Sequence, residues 1–197
     1  MDGPHPVSIL LLGDDEVGKS TFLSQLARIH GKEGLCDSTI SPQPLLRDED
    51  QPFVVELRTR TATFRLKFSD SASPVHWRCQ SPPDVLVLCY DISRRTTLTS
   101  LQTRWVGEIR TTFQHCDQMP ILVLGLKRDL RQADESGHTL YPHEAYNLAQ
   151  QLRADMYLEC SARTGELLAQ AVDDICRRAI QTTTPAGGQS QGACSVM

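Results

Sequence analysis

The strongest constraint on this chain is eight residues long. Gly13-Asp14-Asp15-Glu16-Val17-Gly18-Lys19-Ser20 fits the pattern G-x-x-x-x-G-K-[ST]. It follows a short apolar run, Ile9–Leu12, and opens a segment with Phe22, Leu23, Leu26, Ala27 and Ile29 on one helical stripe. The chemistry needs that strand, loop and helix order. Glycines let backbone N–H groups turn inward around phosphate oxygens, and the helix that follows presents its positive end to them. In such a loop the lysine reaches the terminal phosphates and the serine hydroxyl ligates Mg²⁺. Gly13, Asp15, Glu16, Val17, Gly18, Lys19, Ser20 and Thr21 are therefore the candidate phosphate-binding residues. Three successive acids, Asp14 to Glu16, set negative charge beside a polyanion, which weakens binding unless their carboxylates point to water or to Mg²⁺.

The rest of the chain alternates between two periods. Phe53–Leu57 and Ala62–Phe68 predict a hairpin, the second strand alternating as Thr63-Phe64-Arg65-Leu66-Lys67-Phe68. Val85–Asp91, Ile121–Leu126 and Met156–Cys160 read as buried strands, and Leu98–Cys116, Pro142–Leu152 and Glu166–Ile180 as helices. Strands alternating with helices imply crossover connections, hence an α/β fold with a mostly parallel sheet of about six strands and helices on both faces. Ligands in such folds bind beyond the carboxyl ends of the strands. Residues 30–51 and 69–83 carry no period and are expected to be loops, and loops of that length in compact domains tend to be functional.

Composition narrows the class. A chain of 197 residues suits one domain, read here as residues 1–180, with a flexible tail over 181–197 rich in threonine, glycine and glutamine. The net charge of −4 argues against a nucleic-acid binder. Seven cysteines, an odd number with no pair at two-residue spacing, argue against a disulfide framework and for a reducing compartment. The six histidines form no pair at i, i+4, so Mg²⁺ accompanying a nucleotide is the only metal expected. Met1–Pro6 lacks the basic-then-apolar pattern of a signal peptide, which gives a cytoplasmic expectation.

Further residues carry a family resemblance. Trp105 with Glu108 and Arg110, the run Gly125-Leu126-Lys127-Arg128-Asp129-Leu130-Arg131, Tyr141-Pro142 with Ala145, and Tyr157-Leu158-Glu159-Cys160-Ser161-Ala162 all resemble a small GTPase of the Ras superfamily, Rho-like in detail. The resemblance spans about Val7 to Ile180 and implies the P-loop GTPase fold, GTP or GDP with Mg²⁺ as ligands, and effector and regulator proteins docking on residues 30–51 and 69–83 of a monomer. It implies that Lys127 lies over the guanine and that the Asp129 carboxylate accepts two hydrogen bonds from it, with Ser161, Ala162 and Arg163 as the second base-contacting loop. It also implies Ser20, Thr39 and Asp70 around Mg²⁺, with Lys19 stabilising charge on the phosphates.

The departures from that pattern are as informative. Leu126 stands where the family has asparagine or threonine, and removes a hydrogen bond. The family's Asp-x-x-Gly-Gln reads Asp70-Ser71-Ala72-Ser73-Pro74. Ser73 lacks glycine's backbone freedom, and Pro74 has no amide to orient an attacking water. Asp15 replaces a glycine beside the γ-phosphate, in the path of an incoming arginine finger. Slow or absent hydrolysis is the expectation, so no catalytic residue is assigned with Pro74 in the glutamine position. A non-hydrolysing interaction scaffold, held in one nucleotide state or nucleotide-free, is the alternative; an ATP-using kinase is disfavoured by Asp129. Finally, Cys194-Ser195-Val196-Met197 fits C-a-a-X of the farnesyl class. One lipid with no second signal gives reversible binding, so a share of the protein is expected at cytoplasmic membrane faces.

Overall fold

The computed structural model describes residues 5–30, 51–59, 62–71, 81–113, 119–132, 139–183 and 195–196. Its backbone is a single sheet in the order β2-β3-β1-β4-β5-β6-β7. The strands are β1 (His5–Leu12), β2 (Phe53–Arg58), β3 (Thr63–Ser71), β4 (Val85–Asp91), β5 (Ile121–Leu126), β6 (Met156–Glu159) and β7 (Ser195–Val196). β2 and β3 form the expected antiparallel hairpin, with Phe53 opposite Phe68. Every other pairing is parallel. The six longer strands match the expectation; β7 is two residues from the segment read as a flexible tail, lying beside Met156 and Tyr157.

The helices are α1 (Lys19–His30), α2 (Arg95–Ser100), α3 (Val106–Thr112), α4 (Asp129–Gln132), α5 (Pro142–Gln151) and α6 (Leu168–Gln181). Alternate residues of β1 and β4 sort them into two layers. Val7, Ile9 and Leu11 of β1 and Val85 and Val87 of β4 pack with Phe22, Leu23 and Leu26 of α1 and with Val172, Ile175 and Ala179 of α6. Leu10, Leu12, Leu86 and Leu88 face the other way, against Leu98, Trp105 and Ile109 and against Ala145 and Leu148 of α5. A central parallel strand buried on both faces has no polar side, which is why Val85–Asp91 reads as an unbroken apolar run and is buried throughout.

The expected single helix over 98–116 begins earlier and is interrupted. Between α2 and α3 lies a π-helical turn, Leu101–Trp105, closed by the Val106 N–H bonding the Leu101 carbonyl. Residues 114–118 lie outside the described residues. α5 starts on Pro142, as proline in a first turn predicts, with a capping box joining Tyr141 and Glu144. Because β1, β3, β4, β5 and β6 run the same way, their carboxyl ends share one edge, and β1 sits between the β2–β3 hairpin and the β4–β5–β6 half. Connections diverge there, so a crevice opens beyond Leu12 and Asp91.

Candidate functional site

The phosphate loop fills that crevice. At Gly13 the backbone passes so close to β4 that a Cβ would sit 2.3 Å from the Cys89 carbonyl oxygen, which only glycine avoids. Gly18, at φ +111°, turns the chain into α1. Val17 is fully buried and pins the loop to the core. Lys19, only 5% exposed, donates from Nζ to the carbonyls of Gly13 (2.8 Å) and Asp14 (2.9 Å), and so spans the loop. Its ammonium and the positive end of α1 converge on the space where the motif requires phosphates.

The three acids have different fates. The Asp14 carboxylate is drawn out of the cradle: one oxygen accepts from the Ser100 hydroxyl (2.8 Å) and from the Trp105 indole N–H (2.8 Å). Ser100 and Trp105 are five apart, and the intervening π turn, with its i to i+5 spacing, brings both donors onto one oxygen. Trp105 is completely buried, so its N–H needs such a partner, and Arg104 lies over its ring at 4.8 Å. Glu16 adopts left-handed backbone at φ +61° and sends its side chain to solvent, 3.6 Å from Arg94. Asp15 is exposed. Asp14 is thus hydrogen-bonded within the fold, and Asp15 and Glu16 keep access to water.

Along the same edge, the residues after β5 and β6 build a cleft of about 210 Å³ lined by Gly18, Thr21, Leu126, Lys127, Asp129 and Arg163, with Leu130 and Ala162. Lys127, at φ +62°, bends back to donate to the Glu16 carbonyl (2.7 Å) and to Asp91 (2.7 Å). Asp129 accepts from the buried Ser161 hydroxyl at 2.6 Å, which fixes its carboxylate at the cleft wall. Ser161 therefore stands behind the cleft and orients the acceptor, while Ala162 and Arg163 face it. Behind them Arg131 bonds Glu159 through both arms, at 2.6 Å each, and ties α4 to the end of β6. Burial pushes the Asp91 carboxyl up, but hydrogen bonds from Lys127 and Ser93 outweigh it and hold it below the usual carboxylate range.

Ser20 and Asp70 meet at the loop's other side, the Ser20 hydroxyl donating to Asp70 at 3.2 Å. A hydroxyl and a carboxylate are hard oxygen donors and fit Mg²⁺, which takes one or two such protein ligands and completes its shell with phosphate and water. Gln51 clasps the same aspartate: its amide N–H₂ donates to the second carboxylate oxygen, and its carbonyl accepts from the Asp70 N–H (2.7 Å). Thr39, Ser73, Pro74 and Cys194 lie outside the described residues. The chain reading missed Gln51, Asp91 and Arg94, because each acts through a partner distant in sequence. The Trp105-Glu108-Arg110 signature had singled out Trp105 without its task of holding Asp14.

A mostly parallel sheet with a phosphate loop at its switch point and a cleft beside it is the architecture of a P-loop nucleotide-binding protein. The family model described as the Ras family matches residues 61–181, and the chain belongs to that family as a Rho-like small GTPase. It is 28% identical to Rho-related GTP-binding protein RhoV of Rattus norvegicus over 190 residues, which cover 89% of this chain and 75% of that one. It is 29% identical to Rho-related GTP-binding protein RhoD of Homo sapiens, over 82% of this chain and 77% of that one. A shorter match, 34% identical, joins it to GTP-binding protein RHO4 of Saccharomyces cerevisiae over half of this chain and 32% of that one. The family match begins at residue 61, after the phosphate loop and its three acids.

Proposed function

We propose that this Rho-like GTP-binding protein holds GTP or GDP with Mg²⁺ at the crevice and turns GTP over slowly or not at all. The observation that carries the reading is the convergence of Lys19, Ser20 with Asp70, and the Lys127–Asp129 cleft on one edge of the sheet. Ser20 and Asp70 would hold Mg²⁺, with Thr39 as a third ligand contributed by the 30–51 loop. Bound there, the ion would neutralise charge on the phosphates. Lys19 adds a fixed positive charge to the same oxygens, and Gln51 sets the orientation of Asp70. Three departures support poor turnover: Asp15 is an exposed carboxylate at the γ-phosphate end of the loop, Ser73 replaces a glycine, and Pro74 offers no amide to a water. Effector and regulator proteins would meet residues 30–51 and 69–83, and a prenyl group on Cys194 would give reversible attachment to cytoplasmic membrane faces, with the protein otherwise monomeric and cytoplasmic.

The second reading is an interaction scaffold, held in one nucleotide state or nucleotide-free, which the departures at Asp15, Ser73, Pro74 and Leu126 favour. Single-turnover hydrolysis on GTP-loaded protein decides the main point. The expected result is a rate far below that of active family members, raised at least about tenfold by Asp15→Gly together with Pro74→Gln. A wild-type rate like that of active members would refute it. For the anchor, Cys194→Ser should move the membrane-bound share into the soluble fraction, and an unchanged distribution would remove it.

A further inference from the structure

Leu126 leaves the base cleft without the polar side chain that the Ras family carries there. Its side chain is buried and apolar, and lies against Gly18. Contact of that kind fills space but fixes no direction. The phosphate loop and the base cleft are nevertheless joined by a compact polar cluster at the end of β4. Asp91, 1% exposed, accepts from Lys127 Nζ at 2.7 Å and from Arg94 Nε at 3.0 Å on the same oxygen. Its other oxygen accepts the Ser93 N–H (2.9 Å) and hydroxyl (2.6 Å). Both cations then continue to the phosphate loop. Lys127 donates to the Glu16 carbonyl at 2.7 Å, and Arg94 donates to the Asp15 carbonyl at 3.3 Å and lies 3.6 Å from the Glu16 carboxylate.

We propose that Asp91 is a positioning residue for guanine-nucleotide binding: with Lys127 and Arg94 as its two arms, it locks the phosphate loop to the base cleft and supplies the tie that Leu126 does not. The proposal rests on the nucleotide site described above. Charge gives the cluster its logic. Two cations held side by side repel unless a carboxylate lies between them, and Asp91 is that carboxylate. The same arrangement presents Lys127 over the cleft in a strained left-handed conformation that an untethered lysine would leave. It also directs the Asp15 and Glu16 carbonyls toward the brace, while both side chains are exposed and the Glu16 carboxylate stays within 3.6 Å of Arg94.

The test follows release of a fluorescent N-methylanthraniloyl-GDP from the full-length chain. Asp91→Asn keeps the shape and removes the charge, and dissociation should accelerate about tenfold. Arg94→Gln, at a side chain 40% exposed, should accelerate it severalfold while leaving the thermal unfolding midpoint in place, and carries the test if Asp91→Asn does not fold. A double-mutant cycle separates positioning from a general loss of structure. In a Lys127→Met background, Asp91→Asn should accelerate dissociation clearly less than it does in the wild type, by about the severalfold effect of Arg94→Gln, because only the Arg94 arm is left to lose. An equal acceleration with and without Lys127 would show that Asp91 acts through the fold alone, and would overturn the proposal. Wild-type protein that retains the probe while Asp91→Asn and Arg94→Gln release it at the wild-type rate would overturn the brace and spare the site. Wild-type protein that captures no probe would overturn both.

Discussion

Asp91, buried at the end of β4, and Asp129, on the wall of the cleft, are both carboxylates, and their partners give them different roles. Asp91 is enclosed by donors of the protein itself, whereas Asp129 is held by Ser161 on one oxygen and faces the cleft. Asp129→Ala should therefore cost about 1.5–3 kcal/mol of guanine binding, the worth of a charge-assisted pair, and abolish the preference for GDP over ADP. Competition binding with the two nucleotides reads both. Asp91 also contributes to folding. Its carboxyl lies below the usual range, so the native state binds its proton less readily than the unfolded chain does. Its contribution is complete above about pH 4 and fades as the pH falls through the lower native value. The stability gap between wild type and Asp91→Asn should be constant near neutrality and close on acidification; a gap that widened in acid would contradict the ion pair. Asp129 was legible because Lys-x-Asp is a local pattern after an apolar strand. Asp91 was not, because it occupies the last position of such a strand and its partner lies 36 residues further along the chain.

At the scale of elements, two glycines and one π turn set the geometry of the edge. A Cβ at Gly125 would lie 2.6 Å from the Tyr90 hydroxyl and 3.1 Å from Ile92. Gly125→Ala should destabilise the fold by about 1–3 kcal/mol, measurable by denaturant unfolding. The π turn between α2 and α3 makes a sharper prediction. Trp105→Phe keeps most of the buried ring and deletes its N–H, leaving Asp14 with Ser100 as its close donor. Nucleotide affinity should fall severalfold with a stability loss of about 1 kcal/mol, since a freed acid is then able to swing toward the phosphates. Unchanged affinity would mean that Asp14 has no bearing on the cradle. Strands and helices were legible from their periods, and so was the β2–β3 hairpin from its alternation. The π turn was invisible because its one-residue offset leaves Leu98, Leu101, Trp105 and Ile109 at spacings that a regular helix also accommodates.

For the whole molecule, the sheet explains why fold and site depend on the same residues. The supports of the nucleotide site lie at the carboxyl ends of parallel strands, where fold and site are made by the same residues. Gly13 cannot change without moving β4, and Arg131 cannot change without loosening α4 from β6. Apart from Leu126 in the base cleft, the departures from the family's sequence pattern, Asp15, Ser73 and Pro74, fall on the motif positions that the resemblance ties to hydrolysis. Buried thiols follow the same division. Cys160 and Cys176 are pushed up to about 12 by burial, so neither supplies a thiolate near neutrality. The proposed function is a site that holds guanine nucleotide and turns it over slowly or not at all. The direct measurement loads the purified chain with an equimolar mixture of GTP and ATP in Mg²⁺ and identifies the retained nucleotide by chromatography after prolonged incubation. The expected result is GTP, still largely as the triphosphate. Retention of ATP in equal amount, retention of neither, or conversion to GDP as fast as in active family members would contradict it.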